Sequence, residues 1–227
     1  MQTRLTDVLT CLENAVPLAK RPEDVAAPVL LAVSKTQPTE AIAALAAAGQ
    51  KAFGENYVQE ALRKIDALQA VGLEWHLIGH LQSNKAQEAA RAFDWIQTID
   101  RAKLIPLLAR YRLPALPPLN VLVQVNIDDE ASKHGCEPAD AMALANLIAA
   151  EPRLQLRGLM AIPAPHEDPQ QSAQAFHAMR DLFDAIRLRH PGIDTLSMGM
   201  SGDFVAAIEQ GATMVRIGSA LFGSRAS

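Results

Sequence analysis

A lysine and an arginine stand in two strand-like runs near opposite ends of the chain. Lys35 follows the apolar run "VLLAV", and Arg216 lies within "MVRIG". Alternate residues of a strand share a face, which puts Leu31 and Val33 with Lys35 and puts Met214 with Arg216. If both faces point into a closed barrel, the two cations become neighbours, and they repel each other unless an anion lies between them. The pair therefore predicts an anion site with an amine beside it.

The sequence also offers a phosphate site near these two cations. Ser201 and Gly202 end one strand-like run before a predicted helix, and Gly218 and Ser219 follow the last run. Free N–H groups at a helix start bind phosphate, and loops after strands seven and eight of a βα barrel commonly do so. The alternatives are that Ser201 and Gly202 form only an N-cap and a turn, and that Arg216 pairs with a carboxylate of a neighbouring strand.

A lysine beside such a pocket has a specific chemical use. Partial desolvation and a neighbouring cation favour the free amine of a lysine, which can then attack an aldehyde and form a Schiff base. Pyridoxal 5'-phosphate supplies both the aldehyde and the phosphate. The alternative is that Lys35 is an ordinary solvated lysine at the end of a strand.

The elements that position these residues alternate between strand and helix from about residue 29 onward. Helical segments such as "TEAIAALAAAG" and "NYVQEALRKIDALQAVG" separate the strands, and this alternation predicts a single α/β barrel of the (β/α)8 TIM type, preceded by an amphipathic helix over residues 2 to about 19. Strands are expected near Val29–Ser34, Ala52–Glu55, Glu74–Gly79, Trp95–Ile99, Asn120–Ile127, Leu156–Ile162, Thr195–Gly199 and Met214–Gly218.

Length and composition limit the class of protein. The chain has 227 residues and a net charge of −4, so we expect one domain over residues 1–227, with a helix and lead-in over 1–28 and the barrel over 29–227. The sequence has no lysine- or arginine-rich run, so we expect no nucleic-acid partner. Cys11 and Cys136 show neither metal-ligand spacing nor a disulfide framework, and no signal-like or membrane-spanning run is present. We therefore expect a cytoplasmic protein without a membrane partner.

Several longer stretches together resemble the pyridoxal phosphate homeostasis proteins, relatives of the cofactor-binding barrel of alanine racemase. They are "LLAVSKTQP", "FGENYVQEA", "WHLIGHLQSNK", "VLVQVNIDDEASKHG", "LRGLMAIP" and "LSMGMSGDFVAAIEQGATMVRIGSALFG", in this order over nearly the whole chain after residue 28. The resemblance implies a barrel of the racemase type (fold type III) with pyridoxal phosphate as a Schiff base on Lys35. It further implies Ser201, Gly218 and Ser219 as phosphate ligands, with Gly202 beside them, Arg216 at the pyridine nitrogen, and Asn56, His76 and Met160 near the ring.

Some of these residues have other interpretations. His76, alone on a buried strand, is better explained as a hydrogen-bonded core residue, and four strand residues hold His76 and His80 about 13 Å apart. We therefore reject metal binding and expect no metal site in this protein. Asp203 stands where a nucleophile elbow needs its second glycine, which argues against a hydrolase.

Lys133, in "ASKHG", is interpreted as a loop lysine, with a secondary aldehyde-reactive role as the alternative.

The same resemblance separates a carrier from an enzyme. Racemisation needs two bases, and in alanine racemase the second is a tyrosine brought by an additional β-domain and a partner subunit. This sequence ends at Ser227, and its tyrosines, Tyr57 and Tyr111, lie in no matching context. We therefore expect a binding protein, not an enzyme, that buffers pyridoxal phosphate and delivers it to apo forms of enzymes that use it. The alternative is an amino-acid racemase or related fold type III enzyme. We expect a monomer, with a weak dimer as the alternative.

Overall fold

The structure is a computed structural model that describes residues 1–16, 28–128, 134–164 and 169–223. Within these ranges eight parallel strands form a closed barrel in chain order, and β1 pairs with β8 to close it. The predicted barrel is therefore confirmed. The strands are β1 Val29–Val33, β2 Ala52–Glu55, β3 Glu74–Leu77, β4 Trp95–Ile99, β5 Leu119–Val125, β6 Leu154–Ala161, β7 Thr195–Met200 and β8 Met214–Ile217.

Helices connect the strands around the outside of the barrel. The described helices are α1 Gln2–Ala15, α2 Thr39–Ala47, α3 Val58–Ala67, α4 Ala86–Ala92, α5 Leu104–Tyr111, α6 Ala141–Ala149, α7 Pro169–Arg189, α8 Phe204–Glu209 and α9 Ser219–Phe222. Two connections after helices turn through glycines, Gly49 and Gly72, whose φ angles are 110° and 67°. Glycine adopts this left-handed backbone without a Cβ clash, so each connection can turn back toward the next strand.

The main hydrophobic core lies between the barrel and its helices, where each strand packs its outward side chains. Phe53, Phe93, Phe176 and Phe183 are among its largest fully buried members. The N-terminal helix α1 buries Leu5, Val8 and Leu12 in the same core and contacts α8 and α9. The predicted first helix thus exists but ends at Ala15, and its expected last residues lie outside the described ranges. None of the described helices is both long and apolar enough to cross a membrane.

The inside of the barrel holds two smaller apolar clusters, as expected for strands buried on both faces. One contains Leu31, Ala52, Ile78 and Met214, and the other contains Trp95, Leu122 and Met160. Leu31 lies opposite Arg216 in the β1–β8 ladder. The inward orientation expected for these two faces is therefore correct, and the apolar clusters close the barrel beneath the ends of the strands.

Candidate functional site

A cavity of about 270 Å³ lies at the carboxyl ends of the strands. This is the end of a βα barrel at which sites are built, and the volume is close to the lower end of the ~300–1,000 Å³ typical of small-molecule pockets. Six of the nine residues proposed from the sequence line it: Lys35, Asn56, Ser201, Arg216, Gly218 and Ser219. Residues that the sequence did not single out complete the wall: Val33, Thr36, Gln37, Ile78, Ile162, Met200 and Gly223.

Lys35 reaches the cavity from a strained turn. The next residue, Thr36, has a φ of 63°, although β-branched side chains disfavour this left-handed region. The Thr36 amide donates a hydrogen bond of 2.6 Å to Oε1 of Glu60, which holds the turn in place. Within the described ranges the half-buried Lys35 amine has no hydrogen-bond or ion-pair partner. Strain of this kind, kept by surrounding contacts, is typical of functional sites, and here it holds an uncommitted amine at the cavity.

A buried ionic group supports the strand end just before Lys35. Lys64 Nζ donates to the backbone oxygen of Ser34 and to the carboxylates of Glu55 and Glu60, each at 2.7 Å. The Ser34 hydroxyl also donates to Glu55, at 2.6 Å. Burial raises the pKa of Glu55 while its bonds to Lys64 and Ser34 oppose the shift. These contacts fix the residues on either side of Lys35. Of these contacts, the sequence could suggest only the Glu60–Lys64 ion pair, because the two residues are four apart on α3.

Arg216 contributes a buried positive charge to the same cavity. It is 3% exposed, and it donates to the Ser197 hydroxyl and the Ala161 carbonyl, both at 2.8 Å. No carboxylate of the described residues pairs with it, so the alternative of a strand carboxylate partner is not supported by the structure. Burial lowers the pKa of Arg216 to about 10, which leaves the guanidinium charged at neutral pH.

A line of hydrogen bonds crosses the barrel behind Arg216. Ser197 donates to Gln97 at 2.7 Å, and the Gln97 amide bonds Nδ1 of His76 at 2.9 Å. His76 then donates from Nε2 to Glu74 at 2.8 Å, a tautomer that these partners assign. Burial lowers the pKa of His76, so the ring is neutral. The sequence contains one sign of this line of hydrogen bonds, namely polar residues within apolar strands. They are Gln97 in "WIQTI" and Ser197 in "TLSMGM".

Two residues proposed to lie near the cofactor ring are not in the cavity wall. His76 is fully buried, stacks on Trp95 with ring centroids 5.1 Å apart, and touches Arg216 only through Gln97 and Ser197. Its interpretation as a hydrogen-bonded core residue describes this position. Met160 is fully buried in the apolar cluster with Trp95. Lys133 lies outside the described residues.

The serines proposed for phosphate face each other across the β7 and β8 loops. Ser219 Oγ lies 3.4 Å from Ser201 Oγ, and both line the cavity, whereas Gly202 does not. Helix α8 begins at Phe204, and its N-cap is Asp203. The alternative that Ser201 and Gly202 form an N-cap is therefore wrong, whereas the turn that it included is present at residues 201–203. The Ser201 hydroxyl is left at the cavity.

Asn56 is positioned by a close backbone contact with the neighbouring loop. A Cβ on Gly79 would lie 2.0 Å from the Asn56 carbonyl oxygen, so only glycine fits there. Asn56 lines both the cavity and a second one, of about 560 Å³, on the side of β3. The β2 and β3 loops are thus packed together at the edge of the candidate site.

Known proteins are similar to this chain in sequence and in fold. The family described as the N-terminal domain of alanine racemase matches residues 18–226. A protein of Pasteurella multocida named pyridoxal phosphate homeostasis protein is 50% identical over 99% of this chain and 97% of its own, and one of Escherichia coli K12 with the same name is 51% identical over 93% and 90%. PipY of Synechococcus elongatus, solved with PLP bound, is 34% identical, with a TM-score of 0.82 over 98% of this chain and 99% of that one.

Proposed function

Since the chain belongs to the pyridoxal phosphate homeostasis proteins and has the alanine racemase N-terminal domain, we propose that it binds pyridoxal 5'-phosphate in the cavity beside Lys35. The amine would hold the cofactor as a Schiff base, and the chain would buffer the cofactor and pass it to enzymes that use it. Relatives named for homeostasis of this compound, and PipY with PLP bound, support the ligand.

The observation that carries the proposal is the buried Arg216 cation in the cavity wall, which forms no ion pair with a carboxylate of the described residues. A buried charge without a carboxylate partner is costly unless a ligand supplies acceptors for its remaining N–H groups. The Ser201 and Ser219 hydroxyls and the loop at Gly218 line the same cavity and can donate to a phosphate. An anionic, hydrogen-bond-accepting aldehyde fits this set of groups, with Lys35 as the one side-chain amine among the lining residues.

Each residue then has a definable role. Pyridoxal phosphate supplies an aldehyde that reacts with amines and a ring that can withdraw electrons. Lys35 Nζ would be the amine that holds the aldehyde carbon, through one C=N bond whose formation releases one water. Arg216 is anchored by Ser197 and Ala161, and as a permanently charged donor it gives no proton to a ring nitrogen that accepts from it. The ring would therefore remain a weak electron sink.

The lining residues favour a carrier over an enzyme. Among the described residues, no carboxylate, histidine or tyrosine lines the cavity, and Lys35 is the one side-chain amine in its wall. Tyr57 lines the second cavity instead, and Tyr111 lies on α5. Efficient racemisation needs a second base on the opposite face of the bound amino acid. We accordingly propose binding and delivery without turnover.

The test is the absorbance spectrum of the protein with pyridoxal phosphate, before and after borohydride reduction, followed by mass mapping of the labelled residue. A reducible band and a label on Lys35 are expected, and Lys35→Ala should abolish both. Lys103→Ala, at an exposed lysine, is the matched control and should keep them. A label on another lysine, or no label, would refute the site. Amino-acid racemisation that disappears in Lys35→Ala would refute the carrier, as would failure of the loaded protein to reactivate an apoenzyme.

A further inference from the structure

Three side chains of metal-ligand type meet outside the cofactor cavity. His80, Asp100 and His134 each offer one donor atom, and these atoms lie within 4.8 Å of one another. His80 and Asp100 follow β3 and β4, and His134 begins the segment that returns to β5. All three therefore stand at the carboxyl-terminal face of the barrel, where side chains of distant segments converge.

The loop that carries His80 is fixed on both sides of the histidine. The backbone oxygen of Gly79 accepts a hydrogen bond of 2.9 Å from the Thr98 hydroxyl. The backbone oxygen of Leu81 accepts one of 2.7 Å from Arg101. The His80 side chain itself is 29% exposed. A fixed backbone with a partly exposed side chain is suited to a ligand position.

His134 is held in a comparable way by β5. Its carbonyl accepts a hydrogen bond of 3.0 Å from the Gln124 amide. Two residues later, the backbone of Cys136 forms an isolated parallel β-bridge with Val125. Gly135 has a φ of 131°, and a Cβ there would lie 2.6 Å from the Asn126 nitrogen. Only glycine permits this close return, and it sets His134 beside His80, with their rings stacked at a centroid separation of 3.9 Å.

Asp100 is oriented toward the histidines by an arginine. Arg101 binds Oδ1 of Asp100, while Oδ2 lies 3.3 Å from Nδ1 of His80. The Asp100 side chain is only 9% exposed, so its carboxylate has few other orientations. A carboxylate that binds a metal is commonly held by a hydrogen bond of its own, and Arg101 supplies that bond to Asp100 while the second oxygen is directed at His80.

We propose that His80, Asp100 and His134 bind one divalent transition-metal ion of the zinc class. Two imidazoles and one carboxylate are ligands of Zn²⁺, and bonds of about 2.0–2.2 Å require donors about 3.4 Å apart in a tetrahedron. The donors lie within 4.8 Å in the structure without an ion, so the histidine side chains would have to turn toward the ion when it binds. The spacing of His76 and His80 does not predict this site, because its ligands come from three separate segments.

The fourth coordination position would face the second cavity. That cavity is lined by both histidines together with Asn56, Tyr57 and Lys85 among others. Three protein ligands with one open position are typical of zinc sites that bind water or a small ligand. Asn56 also lines the cofactor cavity, so the ion would lie next to that cavity while sharing none of its charged residues.

Zinc titration of the full chain against a chromogenic chelator tests the proposal, and Co²⁺ absorbance reports the ligands directly. One ion per chain and a Co²⁺ spectrum of a tetrahedral nitrogen–oxygen site are expected. His80→Ala, His134→Ala and Asp100→Asn should each weaken binding by at least about tenfold. Lys35→Ala should bind normally, which separates this site from the proposed cofactor function.

The matched control is His177→Ala. His177 and Asp181 form an exposed pair on α7, with Nε2 and Oδ2 3.6 Å apart, and in the described part of the chain this pair has no third donor. Its substitution should leave zinc affinity unchanged. No saturable binding, absence of the Co²⁺ spectrum, or equal loss in the control and the three ligand variants would overturn the proposal. The wild-type Co²⁺ spectrum decides the matter even if a variant folds poorly.

Discussion

The Ser197 hydroxyl lies 2.8 Å from Nη1 of Arg216 and accepts its hydrogen bond inside the barrel. The same hydroxyl donates to Gln97, so the arginine is the end of a polar line anchored on β4 and β7. A cation at the wall of a small-molecule cavity is thus oriented by a residue that does not itself line the cavity.

Replacing this hydroxyl should affect both stability and ligand binding. In Ser197→Ala the buried Arg216 loses one acceptor, so we expect a loss of about 1–3 kcal/mol in the free energy of unfolding and weaker binding of pyridoxal phosphate. Urea unfolding and cofactor titration measure the two effects. Ser83→Ala is the control, since the Ser83 hydroxyl is buried and has no hydrogen-bond partner in the described structure; it should change stability by less than about 0.5 kcal/mol. Equal effects in the two variants would show that the line does not position Arg216.

The buried ion pair behind Lys35 makes a second prediction. Glu55 and Lys64 are 0% and 7% exposed in their side chains, so Lys64→Met leaves a carboxylate buried without its partner. We expect a loss of about 3–5 kcal/mol in the free energy of unfolding, much of it recovered when Glu55→Gln is added. Lys85→Met, which breaks the partly exposed pair with Glu88, should cost less than about 1 kcal/mol. If the double variant is no more stable than Lys64→Met, the cost does not come from the unpaired charge.

His76 predicts how stability depends on pH. Burial holds its pKa below the ordinary value of 6.5, so below pH 6.5 the unfolded chain binds a proton that the folded chain does not. The contribution of His76 to the free energy of unfolding is fully present above pH 6.5. It is lost as the pH falls toward the pKa of His76 in the folded protein. The free energy of unfolding should therefore fall as the pH drops below 6.5, and His76→Gln should make that slope shallower. The measurement is denaturant unfolding across this range with a chelator present. His177→Gln, at an exposed histidine, should keep the wild-type slope; an unchanged slope in His76→Gln would refute the prediction.

Gly79 predicts a purely steric effect next to the site. A Cβ in Gly79→Ala would lie 2.0 Å from the Asn56 carbonyl, and the two loops would have to separate. We expect a cost of about 3 kcal/mol in stability, with weaker cofactor binding because Asn56 moves. Thermal and urea unfolding measure the first effect and titration the second. Gly192→Ala has open space around the new Cβ and should cost under about 0.5 kcal/mol. A tolerated Gly79→Ala would mean that the contact can relax.

Much of the architecture follows from local patterns. Alternation of apolar runs with helical segments predicted eight strands, because strands buried on both faces are largely apolar. Strands β2 and β4 have the predicted bounds. Strand ends were predicted less well: β5 ends at Val125, two residues early, since the Asn126 amide bonds the Cys136 carbonyl and leaves the ladder. A local pattern carries no information about such a returning segment.

The cavity was predictable to the extent that it depends on strand ends. Lys35 and Arg216 were predicted to be neighbours from the alternation of faces within each strand and from the pairing of the first and last strands in a closed barrel. Both line the cavity. Only the family resemblance suggested that His76 and Met160 lie near the ring, and both are fully buried and outside the cavity wall. A residue's depth in a barrel depends on the stagger between strands, which no single strand specifies.

The sequence by itself determined the barrel and the placement of the Lys35 amine and the Arg216 guanidinium at one cavity, because periodicity and strand order are properties of consecutive residues. Only the tertiary structure decided which side chains support them: Lys64 against Glu55, Ser197 against Arg216, and His80 beside His134. The physical reason is that these contacts depend on the register between strands and on the return of loops across the barrel mouth. Both are set by the packing of the whole chain and leave no trace in the spacing of neighbouring residues.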